Sequence, residues 1–241
     1  MRVLGPRRSA ADQVTDEWRD ELETLARVLA RYVDGGGHEV ELCIVARSLR
    51  DERAILDPLI QRIRDHLDLT VHIVLPCPCS DHVRMVLRVE EDYRLVQEIR
   101  KTYEHLRAIL SANGAHGDGS FSAALQFSTL PFFHFILAVS VCSKTDRAAR
   151  FRATYVEPYH FGKKGKKGKK GCTGGRVPLF VHECGTRPKA WPGGGAQVGA
   201  PSVDECGAVD LYASHFAVLY KEATGATDVA TMMGWGAPEE P

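Results

Sequence analysis

The sequence predicts an α/β protein with a mixed, mainly parallel sheet and helices on both faces. Residues 39–75 read as strand, helix and strand, and such a unit is parallel and right-handed with few exceptions. Residues 132–139 are the most apolar run in the chain. This run is too short to cross a membrane, so it is predicted to form a buried central strand.

The amino-terminal elements follow from hydrophobic spacing. Residues 11–33 place one apolar face on a helix, made of Trp18, Leu22, Leu25, Leu29 and Tyr32. Residues 39–46 alternate and then become continuously apolar, as a strand entering a sheet interior does. Asp57-Pro58 starts a crossover helix, because a cap residue precedes proline at the first helical position. Residues 71–75 form the second strand, and residues 81–112 have helical spacing that fits one long helix or two.

The carboxyl-terminal half reads as strands followed by a helix. Residues 123–128 and 132–141 are predicted strands, and residues 151–156 alternate as the hairpin partner of the second. A short apolar island lies at 177–181, and residues 212–223 have the spacing of a last amphipathic helix.

These elements predict three regions. Residues 1–36 carry a helix that packs on the domain, and residues 37–225 form the α/β domain. The domain contains a Gly-, Lys- and Pro-rich insertion at 162–210, which is either a functional loop or partly disordered. Residues 226–241 are expected to be a flexible tail.

The composition limits the classes of partner. Lys plus Arg and Asp plus Glu number 31 each, so no net charge steers the chain toward nucleic acid or membrane. The basic amino-terminal residues lack the apolar core of a signal peptide, and no segment reaches membrane-spanning length, so a cytoplasmic protein is expected. Seven cysteines are an odd number, which favours reduced thiols without a structural disulfide. A homodimer is compatible with the sequence.

Polar residues follow the first two predicted strands, at the edge where α/β proteins bind ligands. Arg47 and Ser48 come after the first strand, and Ser80, Asp81 and His82 come after the second. We therefore predict that these five residues contact a ligand.

His134 is the polar residue inside the apolar run. A buried polar group needs a hydrogen-bond partner or a function, so His134 is either a satisfied core histidine or a ligand contact.

The order of these elements resembles the phospholipase D-like (HKD) superfamily over residues 37–160 and 208–224. More narrowly, it looks like the uncharacterised bacterial modules of that superfamily that have lost part of the catalytic motif. The family motif is His-x-Lys-x(4)-Asp, in which the histidine attacks phosphorus, the lysine holds phosphate oxygens and the aspartate orients the histidine. Aligned from His134, the lysine position holds Ile136 and the aspartate position holds Val141.

This resemblance implies a degenerate module. Isoleucine cannot stabilise charge on phosphate oxygens, so catalysis by the family mechanism is not expected. The resemblance implies a non-catalytic recognition or regulatory module that binds a phosphate-containing ligand or a partner in a bacterial cytosolic system. The alternative is a phosphodiesterase or nuclease that uses His134. A second frame from His160 places Lys163 one residue too far along the strand, and His160 is kept as a ligand contact.

A glycine–lysine repeat is the third candidate site. It carries six lysines, Lys163, Lys164, Lys166, Lys167, Lys169 and Lys170. Glycine keeps such a segment flexible, and each lysine that meets a phosphate releases a counterion. The segment is either a nonspecific contact for nucleic acid or another polyanion, or a solvated loop.

Two segments contain residue types that bind metals. Cys77-x-Cys79-x-x-His82 and His182-x-Cys184 contain ligand types, but the one-residue gap between the cysteines is poor for structural zinc. We expect no metal and no cofactor.

Overall fold

A computed structural model describes residues 1–5, 15–33, 37–49, 57, 60, 68–90, 94–111, 121–131, 134–158, 179–185 and 203–235. The strands are β1 (Arg2–Leu4), β2 (His38–Val45), β3 (Asp68–Pro76), β4 (Phe121–Ser128), β5 (His134–Ser143), β6 (Ala149–Pro158), β7 (Leu179–Gly185) and β8 (Thr224–Gly225). The helices are α1 (Asp16–Val33), α2 (Asp81–Glu90), α3 (Leu95–Ser111), α4 (Val203–Lys221) and α5 (Ala226–Met232). Within the described residues the strands form one sheet in the order β1-β7-β6-β5-β2-β3-β4-β8.

The sheet is mixed but mainly antiparallel. The pairs β2–β3 and β3–β4 are parallel, which confirms the predicted parallel pairing of the first two core strands, and the other pairs are antiparallel. The prediction of a mainly parallel sheet was therefore wrong. Only residues 129–133 connect β4 to β5. A parallel neighbour needs a crossover of about a dozen residues or more, so β5 starts at the same end of the sheet and runs antiparallel to β2.

Helices cover both faces of the sheet, as predicted. Ile44 and Leu137 are paired and fully buried in the cluster that contains α1. Their neighbours Val45 and Ile136 point the opposite way and pack with Phe216 of α4. Successive strand residues face opposite sides, so α1 and α4 lie on opposite faces.

The predicted apolar face of α1 forms a large part of the core. Trp18, Leu22, Leu25 and Leu29 are all at most 1% exposed. The ring of Trp18 meets those of Phe135 and Tyr155 edge-on, at centroid distances of 6.0 and 5.6 Å. Full burial of each large apolar side chain contributes roughly 1.5–3 kcal/mol.

An ionic network fastens β1, a strand that sequence patterns did not predict. Nη2 of Arg2 donates to Glu21 Oε1 at 2.6 Å and to Glu183 Oε1 at 2.9 Å. The buried hydroxyl of Tyr155 also donates to Glu21, at 3.2 Å. The network joins β1, α1, β6 and β7.

Residues 226–235 are not a loose tail. They form α5 and a following turn, in which Val229 is fully buried and Trp235 is 7% exposed. Trp235 packs against Tyr103 and Phe127. Burial of the apolar side chains of Val229 and Trp235 explains why residues 226–235 fold against the domain. Residues 236–241 lie outside the described residues.

The structure also describes parts of the predicted helices and of the predicted insertion. Residues 81–112 contain two helices, α2 and α3, and Asp57 and Ile60 of the expected crossover helix are both helical. The predicted insertion at 162–210 contains β7 and the start of α4. Cys184 forms a disulfide, so the expectation of reduced cysteines throughout was wrong; cysteine spacing alone does not reveal which cysteines the fold brings together. No described helix is long and apolar enough to span a membrane.

Candidate functional site

The predicted edge residues lie at the strand ends where they were expected, and two of them have contacts within their own helix. The hydroxyl of Ser80 accepts a hydrogen bond from the backbone N–H of Val83 at 3.3 Å and so caps α2. Asp81 is exposed and lies 3.3 Å from Arg84. Arg47 and Ser48 are half-buried after β2, and His82 is buried in the first turn of α2. Their role in ligand binding stays a prediction.

His134 is the first residue of β5 and is half-buried on the face that α4 covers. Burial and then the nearby charge of His215 on α4 lower the pKa of His134. Ile136 and Val141, at the family's lysine and aspartate positions, are both 0% exposed. His160 and the six lysines from Lys163 to Lys170 lie outside the described residues.

A cavity of about 450 Å³ lies between α4 and the sheet, on the face of the sheet and not at the predicted edge. Its floor consists of two rows of paired residues. One row is Glu41, Ser140 and Arg152, and the other is His72, Cys43, Ala138 and Thr154. The volume falls within the range of roughly 300–1,000 Å³ that is usual for small-molecule sites.

Small side chains create this space. Ala138 and Ser140 lie in the centre of the floor, while Ala213 and Ala217 of α4 line the cavity from the opposite side. Larger residues of α4 and the sheet pack together beside this space, as Phe216 does with Val45, Val74 and Ile136. The cavity is therefore a consequence of residue size along one face of α4 and one face of the sheet.

Aromatic rings close one end of the cavity. The rings of His72 and Tyr220 meet edge-on with centroids 4.9 Å apart, and Phe216 stacks on Tyr220 at 5.6 Å. Burial and then the neighbouring thiol of Cys43 raise the pKa of Tyr220. The phenol therefore stays protonated and able to donate a hydrogen bond.

An acid, an imidazole and a thiol meet on the floor beside these rings. Glu41 Oε1 lies 3.5 Å from Nε2 of His72, and Cys43 is paired with His72 in the strand register. Burial, the negative charge of Glu41 and a hydrogen bond to Glu41 together raise the pKa of Cys43. The site thus holds a protonated thiol, not a thiolate nucleophile.

The opposite end holds an ion pair and a buried hydroxyl. Nη1 of Arg152 lies 2.6 Å from Oδ1 of Asp210 on α4. Thr154 is 0% exposed, and its Oγ1 has no hydrogen-bond partner among the residues that the structure describes. The buried Nδ1 of His72 also lacks one. A buried polar atom without a partner costs about 1–3 kcal/mol, so these two shielded atoms are a source of instability on the floor of the cavity.

Sequence reasoning missed the residues that give this cavity its chemistry: Glu41, His72, Arg152, Thr154 and Tyr220. One signal was present, since Glu39-Val40-Glu41-Leu42-Cys43 alternates and so indicates a polar strand face. Alternation on one strand cannot show which strands and which helix face it.

Within the described part of the chain, no group of three or more His, Cys, Asp or Glu side chains is arranged so that it could hold a metal ion. Cys77 and Cys79 are free thiols. Burial and the neighbouring Cys79 raise the pKa of Cys77 to about 11. Cys184 is held in a disulfide and cannot act as a metal ligand together with Cys77, Cys79 and His82.

Comparisons with protein-family models, curated proteins and solved structures gave no match. The phospholipase D-like resemblance therefore stays a prediction, and function has to be inferred from the site.

Proposed function

We propose that this protein is a non-catalytic recognition module that holds a small molecule in the cavity beneath α4. The observation that supports this function is the cavity itself, about 450 Å³ in volume, with polar groups at both ends and apolar side chains between them. Concave, mostly apolar sites with a few convergent polar groups are the usual form of ligand sites.

Binding is favoured over catalysis by the state of the candidate reactive groups. Cys43, His72 and Glu41 are the residue types of a thiol nucleophile, a base and an orienting acid. Such a nucleophile needs a lowered pKa, whereas Glu41 and burial raise the pKa of Cys43. Ile136 and Val141 are core residues and offer no phosphoryl chemistry to His134.

A phosphate-containing ligand, expected from the resemblance, is a weaker proposal for this cavity. Among the described residues that line the cavity, Arg152 is the one lysine or arginine, and it is already paired with Asp210. A phosphate group would have to compete with that carboxylate. Polyanion contact through the lysine segment remains a separate proposal.

The binding proposal is tested with N-phenyl-1-naphthylamine, a neutral probe that becomes fluorescent in apolar sites. Wild type should enhance its fluorescence, and Ala138→Leu should remove most of the enhancement by filling the floor. Ala213→Leu should do the same from α4, so the test does not depend on one variant. Ala149→Leu adds the same carbons at an exposed residue of β6 and is the matched control. Equal fluorescence for all four proteins would contradict the proposal.

The absence of catalysis is tested with bis(p-nitrophenyl) phosphate and single-stranded nucleic acid. No turnover is expected. Hydrolysis that His134→Ala abolishes, with an unchanged circular dichroism spectrum, would show that the enzyme alternative is correct.

A further inference from the structure

The charges around the cavity indicate which kind of small molecule it takes. Glu41 lies at one side of the floor with its side chain 51% exposed, so its carboxylate can accept hydrogen bonds from a ligand. Arg152 lies two strands away in the same row, roughly 10 Å distant at usual strand spacing. The charge of Arg152 is compensated by Asp210 at 2.6 Å. Among the described residues that line the site, the uncompensated formal charge is therefore negative.

The aromatic end of the cavity adds to this preference. Phe216 and Tyr220 stack beside Glu41's neighbour His72, and the π faces of aromatic rings attract cations. Ring faces and a carboxylate together form the environment that proteins use for ammonium groups.

We propose that the cavity binds a small organic cation, in which an ammonium group is attached to a flat apolar body; this inference rests on the proposed function. The ammonium group donates to Glu41. The apolar body lies over Ala138, between the floor and the alanines of α4. The far end of the apolar body lies beside Thr154, which lines the cavity.

An anion fits the same space less well. A carboxylate or phosphate would lie near Glu41 or would have to displace Asp210 from Arg152. Like charges in a partly enclosed site oppose binding. The cation should therefore bind more tightly than a neutral analogue, and the neutral analogue more tightly than an anion.

The test uses four ligands that share a naphthalene ring and differ in the charge of the attached group. They are 2-(1-naphthyl)ethylamine, 2-(1-naphthyl)ethanol, the anion 1-naphthaleneacetate and the anion 1-naphthyl phosphate. Each is titrated into the whole protein by calorimetry. The amine should bind about five- to tenfold more tightly than the alcohol, as a charge-assisted hydrogen bond in a partly exposed site provides. Both anions should bind more weakly than the alcohol.

Glu41→Gln keeps the shape of the side chain and removes its charge. This variant should bring the affinities for amine and alcohol within about twofold, while the affinity for the alcohol stays at the wild-type value and confirms an intact cavity. Asp210→Asn is the matched control, because it removes an acid engaged with Arg152; it should lower the ratio of amine to alcohol affinity less than Glu41→Gln does.

The outcomes separate this inference from the proposed function. Tight binding of the alcohol with no advantage for the amine, or tighter binding of either anion, would overturn the cation inference and leave a ligand site in place. Retention of the amine preference in Glu41→Gln would also overturn it. Failure of all four ligands, together with no fluorescence from N-phenyl-1-naphthylamine, would overturn the proposed function.

Discussion

Tyr155→Phe tests the buried network that holds β1 against the body of the protein. Tyr155 is 0% exposed and Glu21 is 8% exposed, and the tyrosine hydroxyl donates to Glu21 Oε1 at 3.2 Å. The substitution removes only that hydroxyl, because a phenylalanine ring can keep the edge-on contact with Trp18.

The size of the effect follows from the charge of the acceptor. A hydrogen bond to a charged group contributes about 1.5–3 kcal/mol. Glu21 keeps both of its bonds from Arg2 in the variant, so the loss should be at the low end, about 1.5–2 kcal/mol. Glu21→Ala should cost more, about 3–5 kcal/mol, because it leaves the tyrosine hydroxyl and part of the arginine charge without their partner.

Urea denaturation followed by tryptophan fluorescence measures both losses. Tyr212→Phe is the control, since Tyr212 is half-exposed on α4 and contacts the ring of His182; it should change the unfolding free energy by less than about 0.5 kcal/mol. A Tyr155→Phe protein as stable as wild type would refute the reasoning, because the hydroxyl would then contribute nothing to the network.

Three further predictions concern the core, pH and the lysine segment. Leu137→Ala should cost about 2–5 kcal/mol in urea denaturation, since Leu137 is 0% exposed on a central strand; a cost near zero would contradict that placement. Burial and His215 lower the pKa of His134 below 6.5 in the folded protein, so the unfolded chain binds the proton more readily and stability falls as pH drops below about 6.5. His134→Gln should reduce this loss in urea midpoints measured from about pH 8 to pH 5, and an unchanged pH profile would contradict the linkage. Deleting residues 163–170 should leave the melting temperature nearly unchanged but remove most oligonucleotide binding, with a salt slope of roughly 0.7–0.9 per lost phosphate contact; equal affinity with and without the segment would show that it is only solvated.

The parallel part of the sheet could be predicted because its signals are local. The alternating residues 39–46, the Asp57-Pro58 cap and the apolar residues 71–75 each specify one element. The hairpin of β5 and β6 was also predicted, from two runs joined by a short polar segment. Such signals act over ten residues or fewer and do not depend on the rest of the fold.

The arrangement of the antiparallel part could not be predicted from local patterns. β5 follows β4 in the chain but pairs with β2 on the side away from β3 and β4, and no local propensity indicates that arrangement. The short strand β1 was missed because three residues show no period. Its pairing with β7 depends on contacts of Arg2 with Glu21 and Glu183, which are distant in sequence.

The cavity was missed for a related reason. Chemistry was expected at the edge of the sheet, where a parallel α/β fold binds its ligands. In the observed sheet, β5 and β6 bring Ser140, Arg152 and Thr154 alongside Glu41 and His72 on one face. The polar site therefore depends on the antiparallel strands that replaced the expected parallel neighbours.

The same strand face both anchors α4 and holds it off the sheet. At one end of this face, Val45, Val74 and Ile136 pack against Phe216 and Leu219 of α4. Two residues earlier on β2, Cys43 begins the polar floor of the cavity. The anchoring cluster lies on the face opposite α1, so its apolar contacts with α4 are separate from the main core. Weakening these contacts should therefore open the cavity before it unfolds the sheet, and a ligand that fills the cavity should protect the amides of α4 more than those of α1.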